Sequence, residues 1–322
     1  MGENISTRVA YGRALAEFGS RPDIYVFDSD LKSCTMTEFF AEKYPERFYN
    51  MGIAEANMVD VAAGFAACGA TALAHTFAIF AAGRVYDQVR NDVCYPGLNV
   101  KIIGSHAGLT VGEDGATHQA LEDISLMRTL PGMTVVVPCD SNETRLATKA
   151  ILDKKGPCYL RTGRPALACV TDTFEDYQFE LGRGVTLGDG TDVTLIACGL
   201  MVQETLKAQK LLEAEGISAR VIDMHTIKPI DEELIIKAAS ETGAIVTAEE
   251  HNVIGGLGGM VSEVLVKNRP VPMEMVGVND TFGHSGAPFD LLKLYGLTPE
   301  GIAEKAKAAI ARKQHGDLIT TQ

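Results

Sequence analysis

The stretch Val100-Lys-Ile-Ile-Gly-Ser-His106-Ala-Gly108-Leu-Thr-Val-Gly112-Glu-Asp114-Gly-Ala-Thr-His118-Gln119 carries the reading of the whole chain. The apolar run Val100 to Gly104 reads as a buried strand, and Leu121 to Leu130 reads as a short helix. Between them lies a polar loop holding two histidines, His106 and His118, and two carboxylates, Glu113 and Asp114. Parallel α/β sheets place ligands at loops of this kind, outside the carboxyl ends of their strands. Gly108, Gly112 and Gly115 are expected to let the backbone turn sharply and approach a ligand closely.

Outward from this loop, strands and helices alternate. Asp23 to Asp28, Thr71 to His75, Val100 to Gly104, Met133 to Pro138 and Cys158 to Arg161 are strand-like. Ala54 to Cys68, Phe80 to Cys94 and Ser141 to Asp153 carry apolar residues three and four apart and are long enough to be crossover helices. The periodicity fades between Ala166 and Tyr177, and a second series then begins with strands at Asp192 to Cys198, Ala219 to Met224, Ala244 to Glu249 and Met273 to Val278. Helix-length segments separate them, two further helices near Pro288 to Tyr295 and Pro299 to Arg312 close the chain, and the tail from Gln314 to Gln322 is expected to fray. The pattern predicts an α/β protein of two consecutive domains with mainly parallel sheets, at 1–170 and 183–322, joined by a linker at 171–182.

A chain of 322 residues, 46% of them hydrophobic, can bury substantial cores. The formal charge of −13 excludes the basic footprint of a general nucleic-acid or anionic-membrane binder, so anionic substrates would rely on local arginines. No apolar stretch approaches the ~18 residues of a membrane span, and the N-terminus lacks the apolar core of a signal peptide, so a cytoplasmic location is expected. The seven cysteines form no CxxC pair, which fits reduced, mostly packing thiols. A zinc site on His106 and His118 lacks a third ligand at suitable spacing, and no metal ligands are expected in this chain.

Several residues could carry chemistry. Glu55, in Gly52-Ile-Ala-Glu-Ala-Asn-Met58, falls in the first turn of a helix, where the dipole favours a carboxylate. Phe77 and Phe80 are spaced to share one face at a helix start, which core packing alone would also explain. Asp30 and Ser33 follow a strand, where turn formation is an equal reading. Arg161 and Arg164 end another strand, where guanidinium groups could clasp a phosphate. Gly188-Asp-Gly190 lies between two strand patterns and reads as a hairpin turn. Glu249-Glu-His-Asn-Val-Ile-Gly-Gly-Leu-Gly-Gly259 looks like a dinucleotide fingerprint, but Val261 stands where the third glycine belongs.

The GEDG-x-THQ loop, the GIAEANM segment and EEHNVIGGLGG, in this order, resemble transketolases, over roughly residues 5 to 313. The resemblance implies a thiamine diphosphate enzyme that transfers a two-carbon ketol unit from a ketose phosphate to an aldose phosphate, a pentose phosphate reaction of carbohydrate metabolism. It makes Glu55 the catalytic glutamate that shares a proton with the aminopyrimidine of the cofactor, and Phe77 and Phe80 the walls around that ring, with a third wall missing near Gly83. Asp30 would lie near the cofactor, Ser33 near the sugar phosphate, His118 beside the reacting oxygen and His106 near the distal end of the substrate. Asp114 would bond a sugar hydroxyl and Arg161 the phosphate, with Arg164 a weaker match.

Such enzymes hold the diphosphate through Mg2+ on a Gly-Asp-Gly motif followed by an asparagine roughly 25 to 30 residues later, an oxygen-rich set of ligands. After Asp189 the next asparagine is Asn252. The chain therefore resembles the C-terminal subunit of a split transketolase. An N-terminal subunit is expected to supply the diphosphate and Mg2+ site, in a heterotetramer with two copies of each. A 1-deoxyxylulose-5-phosphate synthase-like enzyme, a 2-oxoacid dehydrogenase β subunit and a non-catalytic scaffold of the same fold are the rival readings.

Overall fold

The computed structural model describes residues 4–175 and 177–319. Two sheets carry the architecture. The first has seven strands in the order Thr226–Lys228, Thr134–Val136, Cys158–Arg161, Val100–Ser105, Thr71–Phe77, Ile24–Asp28 and Phe48–Asn50. Every neighbour in it is parallel except the edge strand Thr226–Lys228, which runs antiparallel to Thr134–Val136. The second has five strands in the order Met273–Val278, Ile245–Asn252, Val193–Ala197, Ala219–Asp223 and Val185–Gly188, of which only the last is antiparallel to its neighbour. The expected α/β class with mainly parallel sheets is what the chain adopts.

Burial explains why the strands lie where they do. Every residue of Thr71–Phe77 is buried, as a strand covered on both faces requires. Its one imidazole, His75, is satisfied within the core, with the Tyr11 hydroxyl 2.6 Å from Nε2 and the Phe27 carbonyl 2.9 Å from Nδ1. Burial holds the His75 pKa down at about 4, so the ring packs neutral. The helices Ser141–Asp153 and Glu232–Thr242 start on short polar side chains: Asp140 accepts from the Glu143 N–H at 2.9 Å and Asp231 from the Leu234 N–H at 3.0 Å.

Three local expectations are corrected. Val185–Gly188 and Val193–Ala197 do not form a hairpin around Gly188-Asp-Gly190, because both edges of Val193–Ala197 are taken by Ala219–Asp223 and Ile245–Asn252. The segment Phe80 to Cys94 is not one regular helix. Two wide turns, Phe80–Arg84 and Val89–Cys94, flank Tyr86–Gln88, with Val85 N–H bonding Phe80 O and Tyr95 N–H bonding Arg90 O in the i to i+5 pattern. The closing helix, Pro299–Ile319, runs beyond Arg312, and of the tail expected to fray residues 320–322 lie outside the described residues.

The two sheets share a seam. The edge strand Thr226–Lys228 comes from the second half of the chain yet completes the first sheet. One apolar core runs through both halves, joining Ile124, Met127 and Met133 to Ile196, Ile222, Met224 and Leu257. At the seam Arg161, 6% exposed, pairs with the fully buried Asp123 through Nε–Oδ2 at 2.8 Å and Nη2–Oδ1 at 3.3 Å. Its Nη2 also donates to the carbonyls of Ala120 (3.2 Å) and Glu250 (2.9 Å). Burial opposes the Arg161 charge, but Asp123 outweighs it and lifts the guanidinium above its ordinary value; burial likewise opposes the Asp123 charge, and Arg161 brings that carboxyl below the ordinary range.

Truncating one member of a buried pair leaves the other uncompensated. Arg161→Ala should lower stability by about 3–5 kcal/mol, read from urea unfolding of the purified chain. A loss below about 1 kcal/mol would show that the seam does not depend on this pair.

Candidate active site

Four neighbouring strands of the first sheet deliver side chains to one edge. Phe77 is the last residue of its strand, His106 the first after Val100–Ser105, Asp30 the second after Ile24–Asp28 and Arg164 the third after Cys158–Arg161. These are carboxyl ends of parallel strands, where α/β sheets open their crevices.

The centre of the crevice is aromatic. The Phe77 and Phe80 rings lie 6.2 Å apart and within 7° of parallel. His106 stacks on Phe77 at 4.2 Å, and His118 stands edge-on to Phe80 at 5.5 Å and to Phe77 at 6.1 Å. Glu55, the first residue of the helix Glu55–Ala67, is only 4% exposed. Arg84, on the wide turn Phe80–Arg84, links it to the aromatic group: its Nη1 donates to Glu55 Oε1 at 2.9 Å while its guanidinium lies 4.3 Å over the Phe80 ring.

One end of the crevice is cationic. His106 has a left-handed backbone (φ 58°), is buried, and shares a 2.8 Å hydrogen bond between Nδ1 and Ser105 Oγ. Burial first, then the charges of Arg8 and Arg164, push its pKa down to about 3. Arg8 donates through Nη1 to the Cys34 carbonyl at 2.9 Å, which ties it to the short helix Lys32–Thr35 that carries Ser33, and its Nε–H is buried without a partner. Arg164 donates to the Val111 carbonyl and, at 3.1 Å, to Glu113.

The histidine loop is clamped from the other side by the second domain. Thr110 N–H donates to Glu250 Oε1 at 2.6 Å and Gln119 Nε2 to the His284 carbonyl at 2.9 Å. Gly108 (φ 81°) is required because a Cβ there would stand 2.3 Å from the Glu250 carboxyl carbon, and Gly115 (φ 73°) because one would stand 2.4 Å from Ser285 Oγ. The close approach that these glycines permit is to the second domain, where the sequence suggested a ligand.

The structure brings together Glu55, Phe77, Phe80, His106 and His118, and sets Arg164 beside them. It does not bring Arg161 to the crevice: a strand-end arginine expected to clasp phosphate is buried against Asp123. Asp30 (φ 66°) and Ser33 are exposed at the rim, where Asn50 Nδ2 donates to Asp30 Oδ1 at 2.7 Å, and Asp114 is exposed on the loop tip. Asp28, not singled out from the sequence, organises the rim loop by accepting from Leu31 N–H (2.5 Å), Thr35 Oγ1 (2.7 Å) and Thr37 Oγ1 (3.0 Å). Two further residues escaped sequence reasoning. Arg8 has no local signal, because only the fold brings the first helix to His106. Arg84 had one, its spacing of four from Phe80.

Two glycine motifs are explained without a ligand. Glu249 accepts from Leu257 N–H at 2.7 Å and Gly258 N–H at 2.8 Å, so the chain's own carboxylate fills the anion position at the start of Leu257–Asn268 that a dinucleotide would need. Asp189 of the Gly-Asp-Gly turn pairs with Arg220 at 2.9 Å.

Comparison with known proteins agrees with this layout. Residues 3–169 match the pyrimidine-binding domain of transketolase and residues 182–302 its C-terminal domain. The chain is 46% identical over 92% of its length to a protein of Methanocaldococcus jannaschii named as a transketolase C-terminal section, covering 94% of it. It is 44% identical over 95% of its length to the 6-deoxy-6-sulfo-D-fructose transketolase subunit of a Clostridium species, covering 95% of that protein. Among solved structures, a split gene transketolase described as an inactive beta4 tetramer superposes with a TM-score of 0.89 at 51% identity, over 96% of this chain and 99% of that one.

An imidazole with a depressed pKa in the fold takes up its proton only on unfolding, so it draws stability away as pH falls from 6.5 toward 3, and its ring is neutral throughout the physiological range. The His106 ring resonances should therefore stay still between about pH 5 and 8. Arg164→Ala should move the midpoint upward, and a wild-type midpoint near 6.5 would contradict the electrostatic assignment.

Proposed function

The chain belongs to the transketolase family, as the C-terminal subunit, and on that premise we propose how its crevice serves ketol transfer. The observation that carries the proposal is the convergence of a buried carboxylate, two parallel phenyl rings and two histidines on one strand edge.

This set fits the aminopyrimidine of thiamine diphosphate: Phe77 and Phe80 offer apolar faces to a flat ring, and Glu55 offers a carboxylate in the first turn of a helix. The cofactor, when bound, supplies the carbon nucleophile that accepts the two-carbon unit. Glu55 holds and returns a proton at a ring nitrogen, which an amide in its place could not do. Arg84 holds Oε1 of Glu55 in the free chain, and the second carboxylate oxygen is the one offered for that contact. His118 and the neutral His106 offer hydrogen bonds to the oxygens of the sugar along the crevice. Arg8, Arg164 and Ser33 form the end that receives the phosphate, a reading supported by the unpartnered Nε–H of Arg8. Arg161 is given no part in it. Asp30 at the rim is assigned to the cofactor side and Asp114 on the loop tip to a sugar hydroxyl.

We place the diphosphate and Mg2+ on a partner subunit carrying the Gly-Asp-Gly and asparagine motif, with two copies of each chain and a cytoplasmic location. The relatives named as transketolase subunits and sections support this division. The experiment is reconstitution: this chain with thiamine diphosphate and Mg2+ should show no ketol transfer until the partner is added. Turnover by the purified chain alone would overturn the division of labour.

In the reconstituted enzyme Glu55→Gln should reduce turnover by about 100-fold or more at saturating cofactor while leaving assembly intact. Comparable rates would remove Glu55 from its role. Arg164→Ala should raise the Michaelis constant for phosphorylated sugars by about tenfold or more and leave unphosphorylated donors nearly unchanged. An equal loss on both would exclude a phosphate contact.

A further inference from the structure

A second group of chemistry-bearing side chains lies at the domain seam and takes no part in the crevice. Cys139 and Glu143 come from the start of the helix Ser141–Asp153 in the first domain, and Asp223 ends the strand Ala219–Asp223 in the second. All three are buried, at 2%, 0% and 0% exposure, and one ligand atom from each lies within 4.8 Å of the other two. Cys139 Sγ is 3.4 Å from Asp223 Oδ2. One polar atom of the group, Asp223 Oδ1, is buried without any partner. The charged groups that act most on Asp223 are Glu143 and Asp140, both acids.

We propose that Cys139, Glu143 and Asp223 bind a divalent transition metal, zinc by donor type, which clasps the two domains together. A sulfur and two carboxylates are donors that zinc takes, and at zinc bond lengths a tetrahedral sulfur–oxygen separation is about 3.6 Å, close to the one present. The Tyr177 hydroxyl, from the linker, donates to Glu143 Oε1 and orients that carboxylate. A metal would supply the positive charge that three buried acidic groups lack.

The test uses the untagged full chain, stripped with a chelator and titrated with Co2+. The expected result is one equivalent of cobalt with a thiolate-to-cobalt charge-transfer band and the strong visible bands of a tetrahedral site, both bleached by Zn2+. Cys139→Ser should abolish the charge-transfer band, Cys68→Ser at an exposed position should keep it, and Asp223→Asn or Tyr177→Phe should weaken binding about 10–100-fold. A folded wild type without the band shows that protons balance the cluster and overturns the proposal, as does a band that survives Cys139→Ser or affinity untouched by Asp223→Asn. Circular dichroism on each variant separates loss of the site from loss of the fold, and the wild-type titration stands whether or not the variants fold.

Discussion

The ion pair between Arg161 and Asp123 is the constraint on which the two-domain arrangement turns. Arg161 ends a strand of the first sheet, Asp123 opens the helix after the histidine loop, and the same guanidinium reaches the Glu250 carbonyl in the second sheet. Two opposite charges taken out of water attract strongly only if geometry is good and the remaining donors are used. Here the donors go to the carbonyls of Ala120 and Glu250, so the pair is satisfied only when strand, loop and second domain are all in register. That makes it a device for fixing position more than a source of net stability.

The histidine loop inherits its shape from that seam. Glu250 accepts from Thr110, His284 accepts from Gln119, and the Leu121 carbonyl accepts from Asn252, so the loop is held at three points by the second domain. Held in this way, His106 can occupy a left-handed backbone that a free loop would leave. The second domain thus contributes to the crevice by positioning the loop that carries its imidazoles. The same domain contributes a strand, Thr226–Lys228, to the edge of the first sheet, which also protects that edge from other chains.

The sequence exposed the alternation of the first sheet well, because each buried parallel strand is a short apolar run bounded by polar residues, and a carboxylate after a glycine turn marks the start of the Glu55 helix. The convergence of Glu55, Phe77, Phe80, His106 and His118 was legible for the same reason: all sit at or just beyond element ends that periodicity locates. Arg161 was misread because a strand-end arginine looks the same whether it meets a phosphate or a buried aspartate, and only the fold brings Asp123 to it. The hairpin at Gly188–Gly190 failed on a non-local fact, the occupation of both edges of Val193–Ala197. Arg8 and the cluster at Cys139, Glu143 and Asp223 depend on contacts across 84 or more positions for their key pairings, which no window of sequence contains.

The Glu55–Arg84 contact shows how a chain can carry a reactive carboxylate before its site is complete. A carboxylate at 4% exposure with no partner would suffer a desolvation penalty of several kcal/mol. The dipole of its own helix offsets part of this, and Arg84 offsets more. Arg84 is itself half exposed and rests on Phe80, not in the core, so its guanidinium can leave Glu55 for solvent without disturbing packing. The wide turn Phe80–Arg84 is what sets this geometry, because a regular helix would rotate Arg84 by a different angle relative to Phe80 and Glu55. The departure from regular helix therefore sits where the fold must hold a charge loosely, and the regular elements sit where it must hold side chains fast.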